Sequence, residues 1–161
     1  MDDISSNLFL EREIKMYKVL QLTNDSIGAV SVNQLMPLGT ITRKICYGNS
    51  NCRTFDVSTT GADTITLNEP GNYRISYSAS LTAGATGEIT VELIANGTSL
   101  YSVSSTASAE GEVINITLPY EVRVCPNCSG NINNCPMTIQ FKLTGVAITE
   151  GTSNVLIERV Y

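Results

Sequence analysis

The stretch Pro70-Gly71-Asn72-Tyr73-Arg74-Ile75-Ser76-Tyr77-Ser78-Ala79-Ser80-Leu81 decides the fold. Tyr73, Ile75, Tyr77, Ala79 and Leu81 share one parity and alternate with small or polar residues. Successive side chains of a strand point to opposite faces, so this run has one core face and one wet face. Before it, Thr64-Ile65-Thr66-Leu67 reads as a strand that turns through Asn68-Glu69-Pro70-Gly71. After residues 84–87, Ile89, Val91, Leu93 and Ala95 alternate again. Asn96-Gly97 then supplies the positive φ angles of a tight hairpin leading into Ser99-Leu100-Tyr101-Ser102-Val103.

A loop of small polar residues is expected over 104–111, followed by a run in which Ile114, Ile116, Leu118, Tyr120, Val122 and Val124 share a parity. Pro119 lies on the other parity and cannot donate a backbone hydrogen bond, so the run must hold an edge, a bend or a break. The last strands are expected at 138–143 and 154–160. Strands following one another between turn signals, with no helix between them, indicate an all-β antiparallel sandwich or barrel.

Composition narrows the function. The chain has 161 residues, which fits one domain with an appendage. Its net charge of −5 lacks the basic surface that neutralises phosphates, which argues against a nucleic-acid partner. The longest apolar runs are a few residues, against the roughly 20 needed to cross a bilayer, so no membrane insertion is expected. Met1-Asp2-Asp3-Ile4-Ser5-Ser6 lacks the basic-then-apolar order of a secretory signal, and synthesis in the cytoplasm is the expectation.

The character of the chain changes near Pro37-Leu38-Gly39. Residues 1–42 are expected to form an N-terminal arm and residues 43–161 the β domain. Within the arm, Leu8, Leu10, Ile14, Tyr17, Val19, Leu20 and Leu22 mix with charged residues, a pattern that suits a short amphipathic helix or an extended segment.

The order of motifs resembles the tumour necrosis factor-like jelly roll found in complement globular heads. It rests on the Pro-Gly-Asn-Tyr strand with Ile75, Tyr77 and Leu81, the Val91-Glu92-Leu93 strand, the Asn96-Gly97-Thr98 hairpin and the terminal Val155-Leu156-Ile157-Glu158-Arg159-Val160. The resemblance covers residues 44–161 and implies a homotrimer, with Leu156, Val160, Tyr161 and Tyr77 at the trimer interface. The whole arrangement, with the Met36-Pro37-Leu38-Gly39 entry and the Cys-bearing Val122-Arg123-Val124-Cys125, is also similar to small head fibre or capsid decoration proteins of tailed bacteriophages. That similarity implies a virion location on the capsid surface and attachment to the major capsid protein. Leu8, Leu10, Ile14, Tyr17, Val19 and Leu22 would form the anchor. The chain has no Gly-X-Y tract, which separates it from collagen-like surface proteins.

The five cysteines fall into two groups, Cys46 with Cys52 and Cys125 with Cys128 and Cys135. Cys125-Pro126-Asn127-Cys128 has the spacing of a zinc half-site, which Cys135 and Cys46 or Cys52 would complete. Disulfides stapling the 46–52 and 125–135 loops are the preferred reading, and reduced structural thiols are the third. No cofactor is expected otherwise.

Catalysis has little to work with. There is no histidine, so triads built on one are absent and a carboxylate pair from Asp56, Asp63, Glu69, Glu88, Glu92 and Glu110 is the remaining route. Each of these is expected on a solvated face or loop, and no enzyme is anticipated. Asn96-Gly97-Thr98 and Asn115-Ile116-Thr117 match the glycosylation pattern by chance. Tyr73, Tyr77, Tyr101, Tyr120 and Tyr161 suit core or trimer packing better than a sugar-binding surface. The expected function is a homotrimeric virion structural protein; a surface or secreted lectin-like module recognising glycans or a host receptor is the alternative.

Overall fold

Strict alternation over long stretches builds ten strands. They are β1 (Lys18–Ile27), β2 (Thr40–Cys46), β3 (Phe55–Val57), β4 (Ile65–Leu67), β5 (Gly71–Ala83), β6 (Gly87–Ala95), β7 (Thr98–Ala107), β8 (Val113–Val124), β9 (Met137–Gly145) and β10 (Ile148–Arg159). The structure is a computed structural model and describes residues 18–46, 53–59, 61–126 and 135–160. Two five-stranded antiparallel sheets, β2-β1-β10-β5-β8 and β3-β4-β9-β6-β7, face each other as a jelly-roll sandwich.

The opening stretch is an interior strand of the first sheet. β5 pairs with β10 on one side, Tyr77 opposite Val155, and with β8 on the other, Tyr77 opposite Leu118. Tyr73, Ile75, Tyr77, Ala79 and Leu81 all turn inward and are buried. Across the sandwich, Tyr77 stacks on Phe141 of β9 with ring centroids 4.4 Å apart, and Phe55 meets Tyr73 edge-on at 6.2 Å.

The Asn96-Gly97 turn forms as expected, Asn96 at φ 47° and Gly97 at φ 79°. Its Oδ1 also accepts the Thr138 backbone N–H at 2.9 Å, which ties the hairpin to β9. The run containing Pro119 stays one unbroken strand, and it is an edge. Strand β7 runs through Ala107, so the first half of the expected 104–111 loop is strand.

The arm boundary at residue 42 is corrected. β1 lies inside the first sheet between β2 and β10, with Leu20 opposite Ile157 and Leu22 opposite Val155. Leu20, Leu22, Val30, Met36 and Leu38 belong to the core. Residues 18–42 are therefore part of the jelly roll, because their apolar side chains fill space that residues 43–161 alone leave open. Gly39 allows this path: at φ +82° it crosses so close to the Thr23 carbonyl that a Cβ would collide with it.

Register gives the sandwich two distinct ends. Lys18, Cys46, Tyr73, Val124 and Arg159 mark one, and we call it basal. The chain enters β1 there, and the 68–70 turn and the Asn96-Gly97 hairpin lie there too. Residues 84–86, 108–112 and 146–147 connect strands at the opposite, distal end.

Candidate functional site

Three regions carry exposed or chemically distinctive groups. The first is the outer face of the β2-β1-β10-β5-β8 sheet. The parity that turns Tyr77 inward turns Arg74, Ser76, Ser78 and Ser80 outward on β5, beside Asn154, Leu156 and Glu158 on β10 and Asn115, Thr117, Pro119 and Glu121 on β8. Gln21 donates to Asn154 at 3.2 Å, Ser80 to Asn115 at 2.7 Å, and Arg74 lies between Glu121 (3.3 Å) and Glu158 (3.9 Å). Short serine side chains along β5 leave an open depression of roughly 430 Å³, walled by Asn115, Thr117 and Thr152. Half-buried Leu156, flanked by Gln21 and Ser76, and Pro119 are apolar side chains in this polar field.

The second region adjoins it at the β7–β8 edge. Tyr101 and Tyr120 stack at 5.7 Å with their planes 27° apart, and Tyr101 is 43% exposed. Pro119 and Ser76 complete a small apolar pocket rimmed by Arg74 and Glu121. Pro119 sits opposite Ser76, and lacking an N–H it blunts the free edge of β8.

The third is a basal hub on the 68–70 turn. Lys18 Nζ donates to Glu69 Oε2 at 2.6 Å, and Arg159 Nη1 lies 3.3 Å from the same oxygen. The backbone carbonyls are captured as well: Asn68 by the Cys135 thiol at 3.0 Å, Glu69 by the Tyr73 hydroxyl at 2.6 Å and Pro70 by Arg159 Nη2 at 2.6 Å. Burial pushes the Glu69 carboxyl up, but the Lys18 hydrogen bond and the charges of Lys18 and Arg159 outweigh it and hold it below the usual range. Burial pushes the Tyr73 and Tyr77 phenols well above theirs.

These arrangements sort the expected site residues. Leu156 and Val160 are half-buried, Leu156 on the outer face. Tyr77 is fully buried in the monomer core, so it cannot face a threefold axis. Tyr161 lies outside the described residues, as do Leu8, Leu10, Ile14 and Tyr17. Val19 and Leu22, expected in the capsid anchor, are fully buried within the jelly roll and unavailable to a partner.

Cys46 is disulfide-bonded and so offers no thiolate to a metal. It also lies on the edge strand opposite β8, where Cys125 follows. Four strand spacings of about 4.8 Å separate those edges, on the order of 20 Å, whereas one zinc ion requires its sulfurs within about 4 Å of each other. Cys125 and Cys135 are not disulfide-bonded, against the expected staple of their loop. Cys52 and Cys128 lie outside the described residues.

Among the carboxylates, Glu69 is bound by two cations, Asp56 accepts from Asn68 at 2.7 Å and Asp63 from Thr64 at 2.8 Å. The Tyr101–Tyr120 stack and the basal hub were not legible as units, because each joins strands through tertiary contact alone.

No family model matches the chain, and no curated protein matches it. Solved structures share its fold. Eiger TNF from S. frugiperda superposes with a TM-score of 0.67 at 8% identity, covering 91% of this chain and 92% of that one. The globular domain of a zebrafish complement 1qA protein gives 0.64 at 10% identity, covering 89% and 98%. The PRD1 vertex protein P5 gives 0.58 at 16% identity, covering 89% and 97%. The chain is an antiparallel jelly roll of the tumour necrosis factor and complement type.

Proposed function

We propose that the chain is a non-enzymatic structural module that assembles as a homotrimer on a virus particle, as a head fibre or capsid decoration. The outer face of the β2-β1-β10-β5-β8 sheet carries this reading: it sets Leu156 among short polar side chains. Such a face is mostly neutral and polar, with its charges gathered at Arg74, Glu121 and Glu158, so the edge of a second copy can pack on the remainder without burying them. The virion assignment draws support from the shared fold of the PRD1 vertex protein.

In this reading the residues before Lys18 hold the module to the major capsid protein at the basal end, and the 84–86 and 108–112 connections project outward. Threefold assembly multiplies the avidity of any distal contact. Two measurements test the reading. Light scattering of the purified protein should give a trimer, and a stable monomer at micromolar concentration would overturn the assembly. Purified particles should contain the protein at a fixed ratio to the capsid subunit, and its absence would overturn the virion role.

A glycan-binding module is the second reading, favoured by the exposed Tyr101–Tyr120 stack with Arg74 and Glu121 at its rim. Glycan retention lost in Tyr101→Ala while the trimer persists would select it.

A further inference from the structure

One side of the sandwich, where β7 ends one sheet and β8 ends the other, is closed by two aromatic rings. Tyr101 stands opposite Leu93 of β6, and Tyr120 opposite Ile75 of β5. Cross-strand partners share a face, and Leu93 and Ile75 are fully buried, so both tyrosines lean from their edge strands toward the gap between the sheets. There the rings meet, with centroids 5.7 Å apart and planes 27° from parallel. Tyr120 packs against the core, Tyr101 is 43% exposed, and both rings line a surface depression of roughly 330 Å³. Among the described residues no backbone ladder joins β7 to β8, so side chains alone hold this side shut.

The two phenols differ from the other described tyrosines. Tyr73 and Tyr77 are buried against Phe55 and Phe141, rings that have no phenolic hydrogen to give up. The chain has no tryptophan to compete for an oxidant. We propose that Tyr101 and Tyr120 form a site of oxidative coupling, at which a dityrosine bond welds β7 to β8 and with them the two sheets. The co-reactant is hydrogen peroxide activated by a haem peroxidase. Each ring gives up its phenolic proton and one electron, and the resulting phenoxyl radical carries spin on the carbons ortho to its oxygen. One such carbon from each ring joins in a new carbon–carbon bond, and the hydrogen on each moves to its own oxygen and restores the phenol. The chain loses two hydrogens in all, and one peroxide molecule takes them up and leaves as two waters.

The test treats the full chain with hydrogen peroxide and a haem peroxidase. Intact mass should show a product of single-chain size, lighter than the parent by two hydrogens, with the fluorescence of dityrosine. Cleavage after glutamate places Tyr101 in peptide 93–110 and Tyr120 in peptide 113–121, and neither contains another tyrosine. These two peptides should be recovered joined, and each of Tyr101→Phe and Tyr120→Phe, which keep a ring in place and remove one phenol, should abolish the joined product. Recovery of both peptides unlinked after treatment would overturn the proposal, as would a joined product confined to chains of doubled mass. A joined product that persists in either phenylalanine variant would refute coupling through the phenols.

Discussion

Replacing Leu156 with Glu separates the assembly from the fold. In the monomer Leu156 lies half-buried on the outer face with Gln21 and Ser76 as its cross-strand neighbours. A surface exchange of this kind changes monomer stability by about 0.5 kcal/mol or less. In a trimer built on that face, each subunit would bury one new carboxylate without a partner, because Arg74 is already paired to Glu121 and Glu158. A cost of about 2–3 kcal/mol per partly desolvated charge, over three subunits, gives on the order of 6–9 kcal/mol, or roughly 10⁴- to 10⁶-fold in the assembly constant. Light scattering at micromolar concentration should show Leu156→Glu as a monomer, with the far-ultraviolet circular dichroism of the parent. Leu156→Ser, which adds no charge, should weaken the trimer far less. A trimer that survives Leu156→Glu with an unchanged midpoint of thermal unfolding would refute the placement of the interface.

Three other outcomes follow from the structure together with the proposed role. Deleting residues 1–17 should abolish capsid attachment and leave a folded trimer, whereas deleting 1–22 should unfold the protein because it removes half of β1 and the core residues Leu20 and Leu22; pull-down on capsids and circular dichroism distinguish them. Glu69→Gln should destabilise the protein at neutral pH. Because Glu69 is held below its ordinary value, its contribution is present above the unfolded carboxylate range and lost as pH falls through the folded value, so urea midpoints of the variant and the parent should converge between neutral pH and about pH 2. Tyr77→Phe should keep the stack on Phe141 and remove a buried hydroxyl whose neighbour is the buried Ser153 hydroxyl, destabilising the fold by about 1 kcal/mol, or about 2–4 °C in Tm; a gain of similar size would mean that the two hydroxyls are not bonded.

Period-two alternation made β5, β6 and β8 readable, because each buries one face and leaves the other wet. It failed for β1, where Val19 and Leu20 are consecutive and both buried and a bulge follows Gln21. β2 is exposed along most of its length, and β3 spans three residues, too short for a period. Parity correctly turned Tyr77 away from solvent, but parity alone does not say whether the sheet's covered face meets its own partner sheet or another subunit. The basal hub was invisible for a different reason. Lys18, Cys135 and Arg159 reach the 68–70 turn across separations of 51, 67 and 89 residues, which no local pattern encodes.

The insertion of β1 between β2 and β10 also has a mechanical meaning. The chain enters at Lys18 running along the strand axis, and backbone bonds to both neighbours lie across that axis. Tension applied through the preceding residues therefore loads two ladders in shear at the same time, and rupture requires many hydrogen bonds to fail together. A pull on an edge strand in the perpendicular direction would instead open bonds one by one. A tether joined at this strand passes its load into the interior of the sheet and not to its free edge.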